Sequence, residues 1–183
     1  MLDPEQALKL LADAEPIWSA EEVDSAVRRV AEEIRVALAH THPLLLSVMG
    51  GAVVFTGQIL PLLAFPLDFD TVHVSRYGKS IGGGKLDWKL GPRENVAGRV
   101  VLVLDDILDE GETMAAIRDE VLRMGAAEFR CAVLADKDIG RAKPVRADFI
   151  GLRVPDRYVF GYGMDVYGKW RNLPAIYALA RTS

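Results

Sequence analysis

Residues 101–113 read VLVLDDILDEGET, from Val101 through the acidic pair Asp105-Asp106 to Thr113. The unbroken apolar run before the acids suits a strand covered on both faces, as in a parallel sheet. With Arg99 and Val100 in front, the pattern predicts a central strand over Arg99–Asp106. Ile107–Thr113 then reads as a turn. Met114–Gly125 reads as an amphipathic helix, with Ile117, Val121 and Leu122 inward and Gly125 ending it. The next apolar run, Phe129–Leu134, is a second strand leading into Ala135-Asp136-Lys137. Strand, helix, strand is a βαβ unit, which predicts an α/β fold with a largely parallel sheet.

The turn itself carries unusual chemistry. Backbone N–H groups at a helix start favour an anion such as phosphate. Gly111 is expected to leave room where that anion approaches, and Thr113 adds a hydroxyl. Glu110 and Glu112 alone would read as residues of an acidic helix start. Acids crowding an anion-ready turn point further, to sugar hydroxyls to be held or Mg²⁺ to be shared. In parallel α/β sheets ligands bind beyond the carboxyl ends of the strands, so the strand ends of this chain are expected to face one site.

Outward from the motif, Asp3-Pro4-Glu5 predicts a capped first helix with Leu8 and Leu11 on its buried side. Ser19 and Glu22 form a capping-box pattern before a second helix, in which Val23, Val27, Val30, Ile34 and Leu38 recur at helical spacing. Leu44–Met49 is a short apolar strand ending in Gly50-Gly51, followed by a helix over Ala52–Leu63. Phe69–Tyr77 predicts another strand. Gly78–Gly98, with three consecutive glycines and Trp88, reads as a long functional loop. Asp148–Val154 predicts a strand, Tyr158–Gly163 a further short one, and Trp170–Leu179 a closing helix.

Composition narrows the class. The 183 residues suit one domain, with half of them hydrophobic and 26% charged. A net charge of −4 disfavours a general nucleic-acid binder. The single cysteine, Cys131, excludes an internal disulfide and suits a reducing compartment. The greasiest stretch, Ala52–Leu67, is interrupted by prolines and falls short of the roughly 20 apolar residues that span a bilayer. The N-terminus does not read as a signal peptide, so a cytoplasmic protein with no membrane partner is expected.

VLVLDDILDEGET resembles the phosphoribosyl-diphosphate (PRPP) motif of type I phosphoribosyltransferases: an apolar run, two acids, two apolar residues, then Asp-x-Gly-x-Thr. Further ordered segments resemble the hypoxanthine-guanine branch. These are Ser75-Arg76-Tyr77 before the long loop, Lys137 after the motif helix, Val154–Asp165 (VPDRYVFGYGMD) and Arg171-Asn172-Leu173. The likeness runs from about Leu45 to Leu173. It implies the type I fold: a mostly parallel sheet flanked by helices, with N-terminal helices over 1–40, a lid over 78–98 and a base-binding hood over 135–183.

The resemblance also implies an activity: transfer of phosphoribose from Mg²⁺-PRPP to N9 of a 6-oxopurine, giving IMP or GMP and pyrophosphate. Asp105 and Asp106 would hold the ribose hydroxyls, directly or through Mg²⁺. The backbone of Asp109, Glu110, Gly111, Glu112 and Thr113 would hold the 5′-phosphate. Asp109 would serve as general acid/base at purine N7, and Lys137 would donate to O6. Tyr158, where the family usually has Phe, would stack on the base, and the Val159 carbonyl would meet a 2-amino group. Asp165 would bind a second Mg²⁺, while Arg171, Gly50 and Gly51 would meet pyrophosphate. Arg76 and Tyr77 would belong to the lid. Three departures stand out: Met49 where a basic residue is common, Glu112 where Lys or Gly is common, and Arg76 where Ser is common. A homo-oligomer, dimer or tetramer, is usual in the family. The alternatives are a transferase for xanthine or another base, and a regulatory RNA-binding protein on the same scaffold, which the acidic balance disfavours.

Overall fold

The computed structural model describes residues 2–76 and 86–180. The chain opens with α1 (Pro4–Ala12), β1 (Glu15–Trp18) and α2 (Ala20–Leu38). Both helices start where the caps predict. Asp3 accepts the Gln6 N–H at 2.8 Å and Ser19 accepts the Glu22 N–H at 3.3 Å; each N3 side chain accepts the cap N–H in return. α2 buries the expected stripe from Val23 to Leu38. In α1 the buried residue is Ala7, while Leu8 is exposed and Leu11 half-buried. The Trp170 indole N–H donates to the Ala7 carbonyl at 3.0 Å, and this distant partner sets the inward face.

The remaining elements are β2 (Leu44–Met49), α3 (Val53–Ile59), β3 (Asp68–Arg76), β4 (Leu86–Leu90), β5 (Val100–Leu108), α4 (Glu112–Arg123), β6 (Glu128–Asp138), β7 (Phe149–Pro155), β8 (Val159–Phe160) and β9 (Ile176–Ala178). Six strands form one sheet in the order β4-β3-β2-β5-β6-β7. All its pairings are parallel except β3–β4 at the edge. The period of two along β5 divides the core. Leu102 and Leu104 face the cluster built with α2 and α3, while Val101 and Val103 face the cluster built with α4. Burial on both faces is why β2 and β5 read as continuous apolar runs.

Several expectations require correction. β5 runs on to Leu108, because Ile107 and Leu108 still pair with Ala135 and Asp136 of β6. The turn therefore shrinks, and α4 begins at Glu112. Leu122 is exposed, leaving Ile117 and Val121 to the core. α3 gives way to a 3₁₀ turn at Leu60–Leu62, where Pro61 lacks the N–H an α-helix needs. Part of the anticipated loop is β4, whose Trp88 packs against the α4-side cluster. Tyr77 and the glycines of 82–84 lie outside the described residues.

The expected closing helix over Trp170–Leu179 is instead irregular chain leading into β9. Ile176 and Ala178 are buried and Tyr177 is half-buried, the alternation of a strand. β9 lies between β1 and β8 in a small antiparallel sheet that joins the two ends of the chain.

Candidate active site

β5 carries Asp105 and Asp106 to the carboxyl edge of the large sheet, and the short turn Asp109–Gly111 leads into α4. A cavity of about 220 Å³ is lined by residues 105–111, Thr113 and Met114. The first-turn N–H groups of α4 point out of the helix end by helix geometry. Gly111 has φ +83°, a left-handed conformation that glycine adopts without strain. A Cβ there would lie 3.2 Å from the Lys143 Cβ and 3.4 Å from Pro144 Cδ. Gly111 is therefore needed for its backbone conformation and for the segment packed behind it, rather than to clear the anion's path as the sequence suggested.

A second cavity of about 190 Å³ shares Asp106, Ile107 and Asp109 with the first and adds Lys137, Tyr158, Val159, Met164 and Asp165. Residues from three distant stretches thus line two neighbouring hollows that share part of their walls. The Lys137 ammonium donates to the Asp109 carboxylate at 2.8 Å. The Tyr158 ring is half exposed, and its hydroxyl donates to the Asp165 carbonyl at 3.1 Å. Ile107, Met114 and Met164 line the cavities although sequence reasoning did not select them. Each is an apolar residue beside a chosen polar one, which periodicity cannot tell from core. A larger cavity of about 320 Å³ borders Lys137 and the 138–147 segment, but neither Asp105 nor Asp106 reaches it.

Burial holds the Asp105 carboxyl well above the usual carboxylate range, and the adjacent Asp106 charge raises it further. Burial raises Asp106 as well. Two close, desolvated carboxyls suit a partner that compensates negative charge, either hydroxyl donors or a divalent cation. Among the described residues no three His, Cys, Asp or Glu side chains cluster to hold a metal. A pair of carboxylates with substrate oxygens and water completing the shell is the usual manner of Mg²⁺ binding.

The raised values make a stability prediction. Unfolded, both carboxyls have ordinary values, so the folded state binds their protons more tightly. Their favourable contribution is full at acid pH and is lost as pH rises through the raised range. Asp105→Asn removes one of the repelling charges. We expect the ligand-free variant to melt about 2–4 °C above wild type near pH 8. That gap should close as pH falls to about 4 or below. Thermal scans across pH measure it, and identical melting at both ends would contradict the repulsion.

Asp165 and Arg171 are tied to each other rather than standing separately. The Arg171 guanidinium donates to Asp165 at 2.5 Å and to the Gly163 carbonyl at 2.6 Å, and Asp165 also accepts the Gly168 N–H at 2.7 Å. Glu110 pairs with Arg141 at 3.1 Å on the surface. At the end of β2, the Met49–Gly50 peptide is cis, and a Cβ on Gly51 would overlap the Asp106 carboxylate. Gly50 faces open space. A Cβ on Gly163 would overlap the Gly51 carbonyl, so Gly51 is packed between Asp106 and Gly163. Arg76 ends β3.

The family model described as the phosphoribosyl transferase domain matches residues 19–167. The chain belongs to that family. It is 34% identical over 161 residues to a hypoxanthine-guanine-xanthine phosphoribosyltransferase of Tritrichomonas foetus, covering 87% of this chain and 88% of that one. It is 33% identical over 159 residues to a hypoxanthine-guanine phosphoribosyltransferase of Bacillus subtilis, covering 86% and 88%. A solved hypoxanthine-guanine-xanthine phosphoribosyltransferase superposes with a TM-score of 0.84 at 32% identity over 93% of this chain and 99% of that one. A Bacillus anthracis hypoxanthine-guanine phosphoribosyltransferase superposes with a TM-score of 0.85 at 26% identity, over 91% and 98%. The type I phosphoribosyltransferase fold expected from the motif is borne out.

Proposed function

We propose that this chain is a purine-salvage enzyme that transfers the 5-phosphoribosyl group of PRPP to N9 of hypoxanthine or guanine, giving IMP or GMP. The bond from ribose C1′ to N9 forms as the bond from C1′ to pyrophosphate breaks. The observation that carries the reading is that two neighbouring cavities share Asp106, Ile107 and Asp109 in their walls. One is floored by a helix start and paired acids, the other is walled by Lys137 and Tyr158. A phosphorylated sugar in the first would lie beside a flat base in the second.

Each group then has a task. The turn amides and Thr113 hold the 5′-phosphate. Asp105 and Asp106 hold the ribose hydroxyls and Mg²⁺. When bound, Mg²⁺ neutralises charge on the departing pyrophosphate. Gly50, Gly51 and Arg171 face that leaving group, and Asp165 lies next to Arg171 for a second cation. Tyr158 stacks on the purine, and Val159 offers its carbonyl to the 2-amino group of guanine. Lys137 and Asp109 are ion-paired, so an entering base replaces one contact with two: ammonium to O6, carboxyl to N7. Adenine presents an amino group where Lys137 has only donors to offer, which selects against it.

The test is pyrophosphate release from PRPP with hypoxanthine, guanine, xanthine and adenine in parallel, with and without a chelator. Release with hypoxanthine or guanine, lost on chelation, is expected; adenine as the preferred base would overturn the assignment. Lys137→Ala should raise the purine KM about tenfold or more, the usual worth of a charged hydrogen bond, and leave the PRPP KM within about threefold. Steady-state kinetics with each substrate varied separates the two, and a larger effect on PRPP would mean the base pocket is elsewhere. The reading extends to a cytoplasmic homo-oligomer, dimer or tetramer, which sedimentation measures.

A further inference from the structure

One largely buried cation lies behind the site and has no part in the transfer as proposed. The register of β5 against β6 ends with Leu108 opposite Asp136. One residue beyond this last pair, the two strands present Asp109 and Lys137, 2.8 Å apart. The Lys143 ammonium donates to the Leu108 carbonyl at 2.6 Å and to the Asp136 carboxylate at 2.6 Å. Its side chain is only 10% exposed. Each of its two partners is therefore the residue immediately before one member of the Asp109–Lys137 pair.

We infer that Lys143 is a positioning residue that clamps the ends of β5 and β6 together and so sets the spacing of Asp109 and Lys137. This rests on the roles proposed above for those two residues. Leu108 is buried, so its carbonyl needs a partner inside the protein. An ammonium has three donors and no acceptor, which suits a carbonyl and a carboxylate presented side by side. Lys143 is itself anchored. Its segment is held to α4 by Arg118, which donates to the Pro144 carbonyl at 3.1 Å, and it packs beneath Gly111. Lys143 approaches from the 139–147 segment, behind the turn, so it acts through the backbone of β5 and the carboxylate of β6. Misplacement of reacting groups by about 1 Å can cost a hundredfold in rate.

Lys143→Met keeps the stem and the segment beneath Gly111 but removes both hydrogen bonds. We expect kcat to fall about tenfold or more and the purine KM to rise severalfold, with the PRPP KM within about twofold. Amide exchange should quicken at residues 108–110 and 136–138 and stay unchanged in α2. Asp136→Asn, which leaves the Lys143 bond to Leu108, should move the same quantities in the same direction by less, and it serves alone where Lys143→Met does not fold. A folded variant with wild-type kcat and purine KM overturns the inference. So does a variant in which all constants and exchange throughout the chain shift together, the mark of a merely structural lysine. A wild-type chain inactive with every purine would refute the proposed activity instead, and the local exchange at the two strand ends would still report on the clamp.

Discussion

Asp109→Asn is expected to lower kcat by about 10²–10³-fold while PRPP binds within a few-fold of wild type. The replacement is nearly isosteric, and its amide oxygen can still accept from Lys137, which now donates to the carboxylate at 2.8 Å. An amide cannot take or return a proton at N7, so the loss falls on a contact made in the transition state. Such a loss lowers kcat and kcat/KM together. The proposed 5′-phosphate site uses the turn amides and Thr113, which the substitution leaves in place. Asp109 is half exposed, so melting should move by about 1 °C or less. Turnover and PRPP titration measure the split; a variant within a few-fold of wild-type kcat would remove the acid/base role.

Gly163→Ala is expected to be severely damaging for a single methyl. Gly163 has φ +103°, a region side chains rarely adopt, and its new Cβ would overlap the Gly51 carbonyl. Backbone cannot swing aside as a side-chain tip can. The residue also donates to the Arg171 carbonyl at 2.8 Å and its carbonyl accepts from the Arg171 guanidinium, so movement spreads to Arg171 and its partner Asp165. Strain and repacking together should cost about 3 kcal/mol. For a chain of this size that lowers Tm by roughly 6–12 °C. PRPP binding should weaken too, because Gly51 lies against Asp106. Gly57→Ala is the control: it lies in α3 with nothing within 4 Å of a new Cβ. That variant should hold or gain up to about 1 kcal/mol. Equal melting of the two variants would contradict the packing at Gly163.

The relative ease of reading different elements has physical causes. β2 and the start of α2 are legible to the residue because their signals are local: an apolar run closed by glycines, and a capping box before a helical stripe. Asp105, Asp106 and Asp109 were legible because one uninterrupted motif carries all three. β9 was misread because Trp170–Leu179 has no decisive period. What makes it strand is pairing with β1 and β8, remote in sequence. β4 was hidden in a glycine-rich stretch for the same reason, its order coming from β3 and from burial of Trp88.

The sequence by itself determined the βαβ core, the acidic pair at its strand end, the anion-ready helix start and the family. The first three follow from spacing along a single segment, where neighbours in the chain are neighbours in space; the family follows from the resemblance of several ordered motifs. Only the tertiary structure decided that Lys137 pairs with Asp109, that Arg171 is fastened to Asp165, and that Gly51 is packed between Asp106 and Gly163. It also brought Lys143 to the last pair of β5 and β6. These are meetings of side chains and backbone across sheet edges and loop crossings, and no local periodicity encodes which distant atoms will come within 3 Å.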